Sequence, residues 1–364
     1  MDQPRTDVPP RQSADRHRFS RRIFTIRRIL RMAALAVCIA LFCGSTAAAQ
    51  QPRLFRIGTG GRAGVYYPLG KLIAQAVTGI AKERTGADEG PGPMAGFIGV
   101  AQSSGGSAAN LRALAAGEIE AALAQADVAA WAYGARHDFA GEDRLRDLRA
   151  VASLYPEKLQ IVTRGDAGIR RVADMKGKRI SIDETGSGTL SAMRIVLEAH
   201  GLSEADFAAV YLKPEFTHEK IITGELHGFS VMAGIPMEGV SQVAGIGLRL
   251  VPIEPQQAAR IHSRFPYLFP GEIPAGAYAG VPATPTLQVH ALLVVMAHMP
   301  EETVRQLTET LWSGRTQALL RSGHPQFAAI TLESALDGIS IPLHPGAASF
   351  YRAAGLTLKN IETQ

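Results

Sequence analysis

The chain has 364 residues with 38 basic and 33 acidic side chains, a formal net charge of +5 and two cysteines; that length suffices for two domains with cores of their own. Setting aside the first 49 residues, with their nine arginines and three aspartates, leaves 29 basic and 30 acidic groups, a net charge of −1. The remainder therefore lacks the positive field expected of a nucleic-acid binder, and, with Cys38 and Cys43 both set aside, it holds no disulfide, thiol nucleophile or thiolate metal site.

Those 49 residues read as an export signal. Arg21, Arg22, Arg27, Arg28 and Arg31 precede a short apolar run, "MAALAVCIALFCG", and then the small residues "STAAAQ". The apolar run is too short for a stable membrane span, and Ala47-x-Ala49 offers a cleavage site before Gln50. "SRRIFT" also fits a twin-arginine signal, although these arginines equally supply an ordinary positive flank. Val37 and Phe42 precede the two cysteines where a lipoprotein signal needs a small residue. No later segment has eighteen uninterrupted apolar residues, so the mature chain is expected not to be embedded in a membrane.

"LFRIG" (54–58) predicts a buried strand that enters a glycine loop, "GTGGRAGVYYPLG" (58–70). Leu69, Leu72, Ile73, Ala76, Val77 and Ile80 then recur at helical spacing, with Pro68 in the first turn. "EGPGPMAGF" reads as a loop before a strand at 97–102, and "SSGGS" (103–107) is a second glycine loop, with Ser107 as the expected N-cap of the next helix. A strand over 119–125 and a helix capped by Asp127 follow. "LRAVASLYPEKLQIVTR" (148–164) predicts a strand, a bend at Pro156 and a strand crossing to a second domain. There "ETGSGT" (184–189) forms a third glycine loop, ahead of a helix from Leu190 to about His200. "FAAVYLK" and "HGFSVMAG" are further strands, the latter ending at Ala233, Gly234 and Pro236. "LQVHALLVVM" (287–296) is a strong strand and 301–320 a helix. The alternation argues for α/β domains with mostly parallel sheets.

Three loops thus share one layout: strand, Gly/Ser/Thr turn, helix start. In open α/β sheets such turns lie at the carboxyl ends of strands, where ligands bind. Helix N-termini there offer unpaired N–H groups and the positive end of the dipole to an anion. Other chemistries fit less well. "GTGGRA" satisfies the dinucleotide fingerprint G-x-G-x-x-G/A, but Glu83 and Asp88, the acids about twenty residues on, lie in or beside a Gly/Pro-rich loop rather than ending a strand. The loop contains no G-K-[ST], the chain shows no G-x-S-x-G elbow at "TGSGT", and its ten histidines include no H-E-x-x-H pair. Neither a metal nor a cofactor is expected.

At these residues the chain resembles a family. "GTGGRAGVYYPLG", "QSSGGSAANLRALAAGEIEAALAQADVAAWAYGA", "LRAVASLYPEKLQIV", "MKGKRISIDETGSGT" and "IPLHPGA" are similar to the TAXI group of extracytoplasmic solute-binding proteins, the substrate receptors of one class of TRAP transporters. The similarity runs from about Phe55 to about Tyr351. It implies a two-lobed, type II-like periplasmic-binding fold with hinge strands and a ligand cleft between lobes, here 50–157 plus 287–364 (lobe I) and 158–286 (lobe II). It also implies a periplasmic, non-enzymatic receptor that delivers a small carboxylate (glutamate, glutamine or 2-oxoglutarate-like) to TRAP membrane subunits. A sensory module on the same fold, or an exported α/β enzyme, are the rival readings; the latter would need a nucleophile–base pair or a cofactor acid.

Carried over position by position, the resemblance implies ligand contacts from Thr59, Gly60, Gly61, Val65 and Tyr66 in the first loop and Ser104, Gly105, Gly106 and Ser107 in the second. Gln125 and Asp127 follow at the next strand end, Gly186, Ser187, Gly188 and Thr189 supply the facing lobe, and Ala233 and Gly234 its neighbouring loop. Of Tyr66 and Tyr67, one is expected to wall the pocket and the other to pack in the core. Gln125 could instead bond backbone, and Asp127 could simply cap its helix. Arg62 and Ala63 stand where the group usually has small residues; Arg62 is expected either to pair with a distal carboxylate, favouring a dicarboxylate, or to sit exposed on the cleft lip. His227 replaces an Asp common in the group before its aromatic strand.

Overall fold

The structure, a computed structural model, describes residues 52–79, 94 and 96–358. The export signal, its cleavage site and most of "EGPGPMAGF" lie outside the described residues. In chain order the elements begin with β1 (Arg53–Gly58), α1 (Tyr66–Thr78), β2 (Phe97–Gln102), α2 (Ser107–Ala115), β3 (Ala121–Gln125), α3 (Ala126–Tyr133) and β4 (Leu148–Arg164). They continue with β5 (Arg179–Ser181), α4 (Gly188–Ala199), β6 (Ala208–Val210), α5 (His218–Ile222), β7 (Gly228–Ala233), α6 (Glu238–Ser241) and β8 (Leu248–Leu250). The last are α7 (Pro255–Arg264), β9 (Phe269–Ile273), β10 (Thr284–Met296), α8 (Glu301–Trp312), α9 (Gly314–Gly323) and α10 (Pro345–Ala353). Among the described residues no helix is long and apolar enough to cross a membrane.

The strands hydrogen-bond in the order β2-β1-β3-β10-β4-β7-β5-β6, with β8 beside β4 and β9 beside β10. β1 is parallel to β2 and β3, and β5 is parallel to β6 and β7. The centre is antiparallel, because β10 pairs antiparallel with both β3 and β4, and β4 with β7. The sheet is therefore mixed rather than mostly parallel: the two parallel groups expected from the strand–helix alternation are present, joined by one long antiparallel pair. That pair is the connection between lobes. β4 runs against β10 from Leu148 to Lys158 and then against β7 from Lys158 to Thr163. This is the two-lobed α/β arrangement with hinge strands that the resemblance implied.

Pro156 does not break β4. It lies opposite His290 where the register shifts, three steps along β4 (Pro156 to Ser153) matching two along β10 (His290 to Leu292). A bulge of this kind takes an extra residue and tolerates a proline that cannot donate to the ladder. The predicted helix over 301–320 is two helices, α8 and α9, separated at Ser313, whose hydroxyl accepts from the Thr316 amide and so starts a new helix. Core residues alternate along the central strands as a doubly covered sheet requires. Leu292, Val294 and Met296 of β10 pack on one face with Leu148 and Ala150, while Ala291, Leu293 and Val295 pack on the other with Val151. The stripe Leu69, Ile73 and Val77 seats α1 on the second face.

Candidate functional site

The carboxyl ends of the parallel strands from both lobes converge on one cavity of about 70 Å³. On one side it is lined by Gly60, Gly61, Gly64, Val65 and Tyr66 after β1, by Gly105, Gly106 and Ser107 after β2, and by Gln125 at the end of β3. Asp183, Glu184, Ser187, Gly188 and Thr189 after β5, and Val231, Met232 and Ala233 at the end of β7, line the other. Glu157 lies between the two sets, at the point on β4 where pairing passes from β10 to β7.

The glycines of the second and third loops serve close approach of the two sides. Gly106 (φ +98°) and Gly186 (φ +88°) take a left-handed backbone that disfavours a side chain. The Gly186 carbonyl accepts from the amides of Ala108 and Ala109 at 3.0 and 3.2 Å, so two of the N-terminal donors of α2 are engaged across the cleft rather than offered to a ligand. The amides of Ser107, Gly188 and Thr189 have no hydrogen-bond partner among the described residues. A Cβ on Gly188 would lie 2.1 Å from the Gln125 side-chain oxygen, which shows how tightly α4 is seated against β3.

Six of the predicted contact residues do not line the cavity. Thr59 is buried behind it, its hydroxyl donating to the Gln102 carbonyl at 2.6 Å. Ser104 holds the loops together, bonding the Thr59 carbonyl and the Asn110 side chain and accepting from Gly106 N–H. Gly186 clamps α2 as described. Gly234 packs against Gln326, Tyr155 and Val65. Asp127 lines a separate cavity of about 590 Å³ beside Trp131 and Tyr267, with one carboxyl oxygen on the Val128 amide at 2.8 Å. Arg62 borders a third hollow with Tyr67 and His324, its guanidinium 5.9 Å from the Tyr67 ring, so its side chain lies on the lip outside the cavity. Tyr66 is the ring that walls the cavity, and Tyr67 lies outside it. The helix caps also differ from expectation. Ser107 is the first residue of α2 rather than its cap, because its hydroxyl accepts from Gln125 N–H at 3.1 Å. Asp127 is the second residue of α3. His227 receives the Arg179 amide on its Nδ1 at 3.1 Å and stays at the start of β7, away from the cavity.

The side chains that give the cavity its chemistry include three acids that the motif comparison passed over. Glu157 is 2% exposed and accepts from the Tyr66 hydroxyl at 3.1 Å. Burial pushes its carboxyl up to about 8, against hydrogen bonds from Tyr66 and Gln125 that pull it down, and the neighbouring Asp127 charge adds to the rise. Asp183 sits at φ +70° where the chain leaves β5, and one of its oxygens accepts from the Glu184 amide at 2.8 Å. Burial lifts Asp183 to about 7, and lifts Asp127 to the same range. Glu184 is paired with Lys213 at 3.4 Å. Among the described residues no arginine, lysine or histidine lines the cavity. The Gln125 side-chain oxygen is buried there without a hydrogen-bond partner.

A buried amide, Asn110, fixes the scaffold. Its Nδ2 donates to the carbonyls of Thr59 (2.6 Å) and Leu123 (2.8 Å), and its Oδ1 accepts from Ser104. One residue of α2 thereby sets the relative positions of all three strand ends on its side. The signals for these residues were present in the sequence: Glu157 follows a proline midway through an otherwise apolar crossing strand, Asp183 ends a strand directly before a glycine loop, and Asn110 lies one turn into the helix after "SSGGS".

The superposition on BugD supports the architecture. BugD, a periplasmic binding protein, superimposes with a TM-score of 0.50 at 10% identity over 84% of this chain and 98% of its own. The aliphatic sulphonate binding protein SsuA of Escherichia coli aligns at 15% identity and a TM-score of 0.41, over 83% of this chain and 84% of its own. A putative L-cystine transporter protein of Listeria monocytogenes aligns at 12% identity and a TM-score of 0.46, over 78% and 99% respectively. Residues 57–355 match the NMT1-like family, spanning all the glycine loops and both hinge strands, and the chain belongs to that family.

Proposed function

We propose that this chain is an exported, periplasmic solute receptor that holds one small carboxylate in the cavity between its lobes and hands it to the membrane subunits of a transporter. The sequence resemblance to the TAXI group points to a TRAP-type partner and to ligands of the glutamate, glutamine or 2-oxoglutarate kind. In this reading lobe I comprises residues 50–157 and 287–364, and lobe II 158–286, with β4 and β10 as the hinge.

The observation that carries the reading is the enclosure of one cavity by strand ends from both sides, with Ser107, Gly188 and Thr189, whose amides are unpartnered, among its lining. A carboxylate received by two or three such donors gains about 1.5–3 kcal/mol from each when shielded from water. Only the closed arrangement brings both sides to the ligand, so binding would shift an open–closed equilibrium. Ser107 and Ser187 accept backbone amides on their hydroxyls, from Gln125 and Leu190.

The test is mass spectrometry of what co-purifies with the protein, followed by a thermal-shift panel of amino acids, dicarboxylates and sulfonates. A solute present at about 100 times its Kd should add roughly 2.7 kcal/mol of stability. If no small carboxylate in the panel shifts the transition, the proposal is wrong.

A further inference from the structure

The hollow beside Trp131 and Tyr267, of about 590 Å³, shares no lining residue with the cavity between the strand ends. It is enclosed by α3 and the turn after it, by residues 264–267 between α7 and β9, and by Ser340. Its lining divides by exposure. Asp127, Trp131, Phe265 and Ser340 are buried, Asp127 and Ser340 being only 1% and 6% exposed. One Asp127 oxygen accepts from the Val128 amide, but the other has no hydrogen-bond partner, and neither has the Ser340 hydroxyl. Buried polar groups are nearly always satisfied, so two orphans lining one hollow mark a place where a bound molecule completes the bonding. The rings brace one another, Trp131 standing edge-on to Phe265 at 6.1 Å and 4.9 Å from His137. The exposed part of the lining is basic, with Arg136, Arg146 and Arg264. Arg264 pairs with Glu198 at 2.6 Å, and the Arg136 charge opposes the rise that burial gives the Tyr267 phenol. Among the described residues Asp127 is the one acid in this lining.

We propose that this hollow is a second binding site, for an aromatic acid that carries an N–H or O–H group on its ring. The ring lies along Trp131, Phe265 and Tyr267. Its donor bonds the orphaned oxygens of Asp127 and Ser340 at the buried end, and its acid group faces Arg136 and Arg146 at the open end. Each part of the lining disfavours another class of guest. A wholly apolar molecule would seal Asp127 and Ser340 in without partners, which costs free energy for each. A cation would meet three guanidinium groups on its way to one carboxyl. A small inorganic anion would gain only screened contacts at exposed arginines and leave the aromatic wall wet. The volume falls within the about 300–1,000 Å³ usual for small-molecule sites and accommodates a bicyclic ring with a short side chain. The two sites differ in residues and in guest, so either can exist without the other.

The experiment is calorimetric titration of the full mature chain with three probes: indole-3-acetate, naphthalene-1-acetate, which lacks the ring N–H, and tryptamine, which carries a cation in place of the acid. Indole-3-acetate should bind with a Kd of about 0.1 mM or tighter, and the other two about tenfold or more weakly. The indole N–H resonance of Trp131 in a 15N-labelled sample, told from that of Trp312 by Trp312→Phe, should move as indole-3-acetate is added. Asp127→Asn keeps the shape and turns one oxygen into a donor; it should weaken indole-3-acetate about tenfold and leave naphthalene-1-acetate within about twofold. Arg136→Gln with Arg146→Gln, both at exposed positions, should weaken both acetates. Folding of the variants is checked by circular dichroism, and the wild-type ranking of the three probes tests the ring donor and the acid group whether or not Asp127→Asn folds. No saturable binding of indole-3-acetate, equal Kd values for the three probes, or binding that leaves the Trp131 resonance in place would overturn the second site and leave the receptor reading intact.

Discussion

Replacing Glu157 by Gln should change how stability depends on pH, and by an amount that follows from burial. Burial raises this carboxyl from 4.5 to about 8 in the native chain. Between those values the native state keeps a proton that the unfolded chain has lost, so native stability must fall as pH rises. The slope is about 1.4 kcal/mol per pH unit for one proton, and the whole penalty approaches about 5 kcal/mol once the pH passes 8. Glutamine has nearly the same shape and cannot ionise. Asp127 and Asp183 are raised in the same direction, but they remain in both proteins and largely cancel in the difference. Urea unfolding of ligand-free wild type and Glu157→Gln at half-unit steps from pH 5.5 to 7.5 should show the variant gaining about 3 kcal/mol relative to wild type across that range. Parallel stability curves would refute the reasoning, because they would mean that Glu157 ionises as readily in the folded protein as in the unfolded chain.

Three further substitutions probe other parts of the site. In Gly188→Ala the new Cβ falls 2.1 Å from the Gln125 oxygen and 2.4 Å from its Cδ, so the carboxamide must turn toward the ligand space. Calorimetry should show affinity for the best solute reduced about tenfold or more, and an unchanged Kd would contradict the seating of α4 on β3. Asn110→Ala removes the side-chain donor to the Thr59 and Leu123 carbonyls, while the Ser104 hydroxyl keeps its bond to Thr59; denaturant unfolding should register a loss of about 2–4 kcal/mol, and a loss below about 1 kcal/mol would contradict its bridging role. Arg62→Ala removes a side chain outside the cavity and should leave the ranking of glutamate, glutamine and 2-oxoglutarate as it was, each Kd within about twofold. A changed ranking would restore the pairing of Arg62 with a distal carboxylate that the sequence pattern had suggested.

Much of the fold was legible because it rests on local chemistry. Apolar runs of strand length and the helical stripe of Leu69, Ile73 and Val77 report burial directly, and both are where periodicity put them. The glycine loops were equally visible, since strand–Gly–helix turns need small residues whatever they bind. What the pattern did not carry was non-local. Whether β10 runs parallel or antiparallel depends on which strand it meets, and nothing in "LQVHALLVVM" states that. Pro156 read as a bend because proline usually ends pairing; the bulge opposite His290 that absorbs it is a property of two strands together.

Within the site, the loops that meet could be identified, but not the division of labour among their residues. Ser107 looked like a cap because caps are local, yet its hydroxyl is claimed by Gln125 eighteen residues on. Gly186 resembled a ligand-binding glycine and serves instead to bring its carbonyl to α2. Arg62 attracted a functional role through its charge, while Glu157 passed without comment inside a strand. Burial reverses that weighting, because a carboxyl group enclosed in the cavity influences a ligand far more than an exposed guanidinium on its rim.

The most direct measurement is a crystal structure of the mature protein saturated with the tightest-binding solute of the panel. One molecule should occupy the cavity bounded by Tyr66, Gln125, Glu157 and Thr189, its carboxylate within hydrogen-bonding distance of the Ser107, Gly188 or Thr189 amides. Density for that solute in the Trp131–Tyr267 hollow or on the outer surface, with the cavity between the strand ends left empty, would contradict the proposed function at its root.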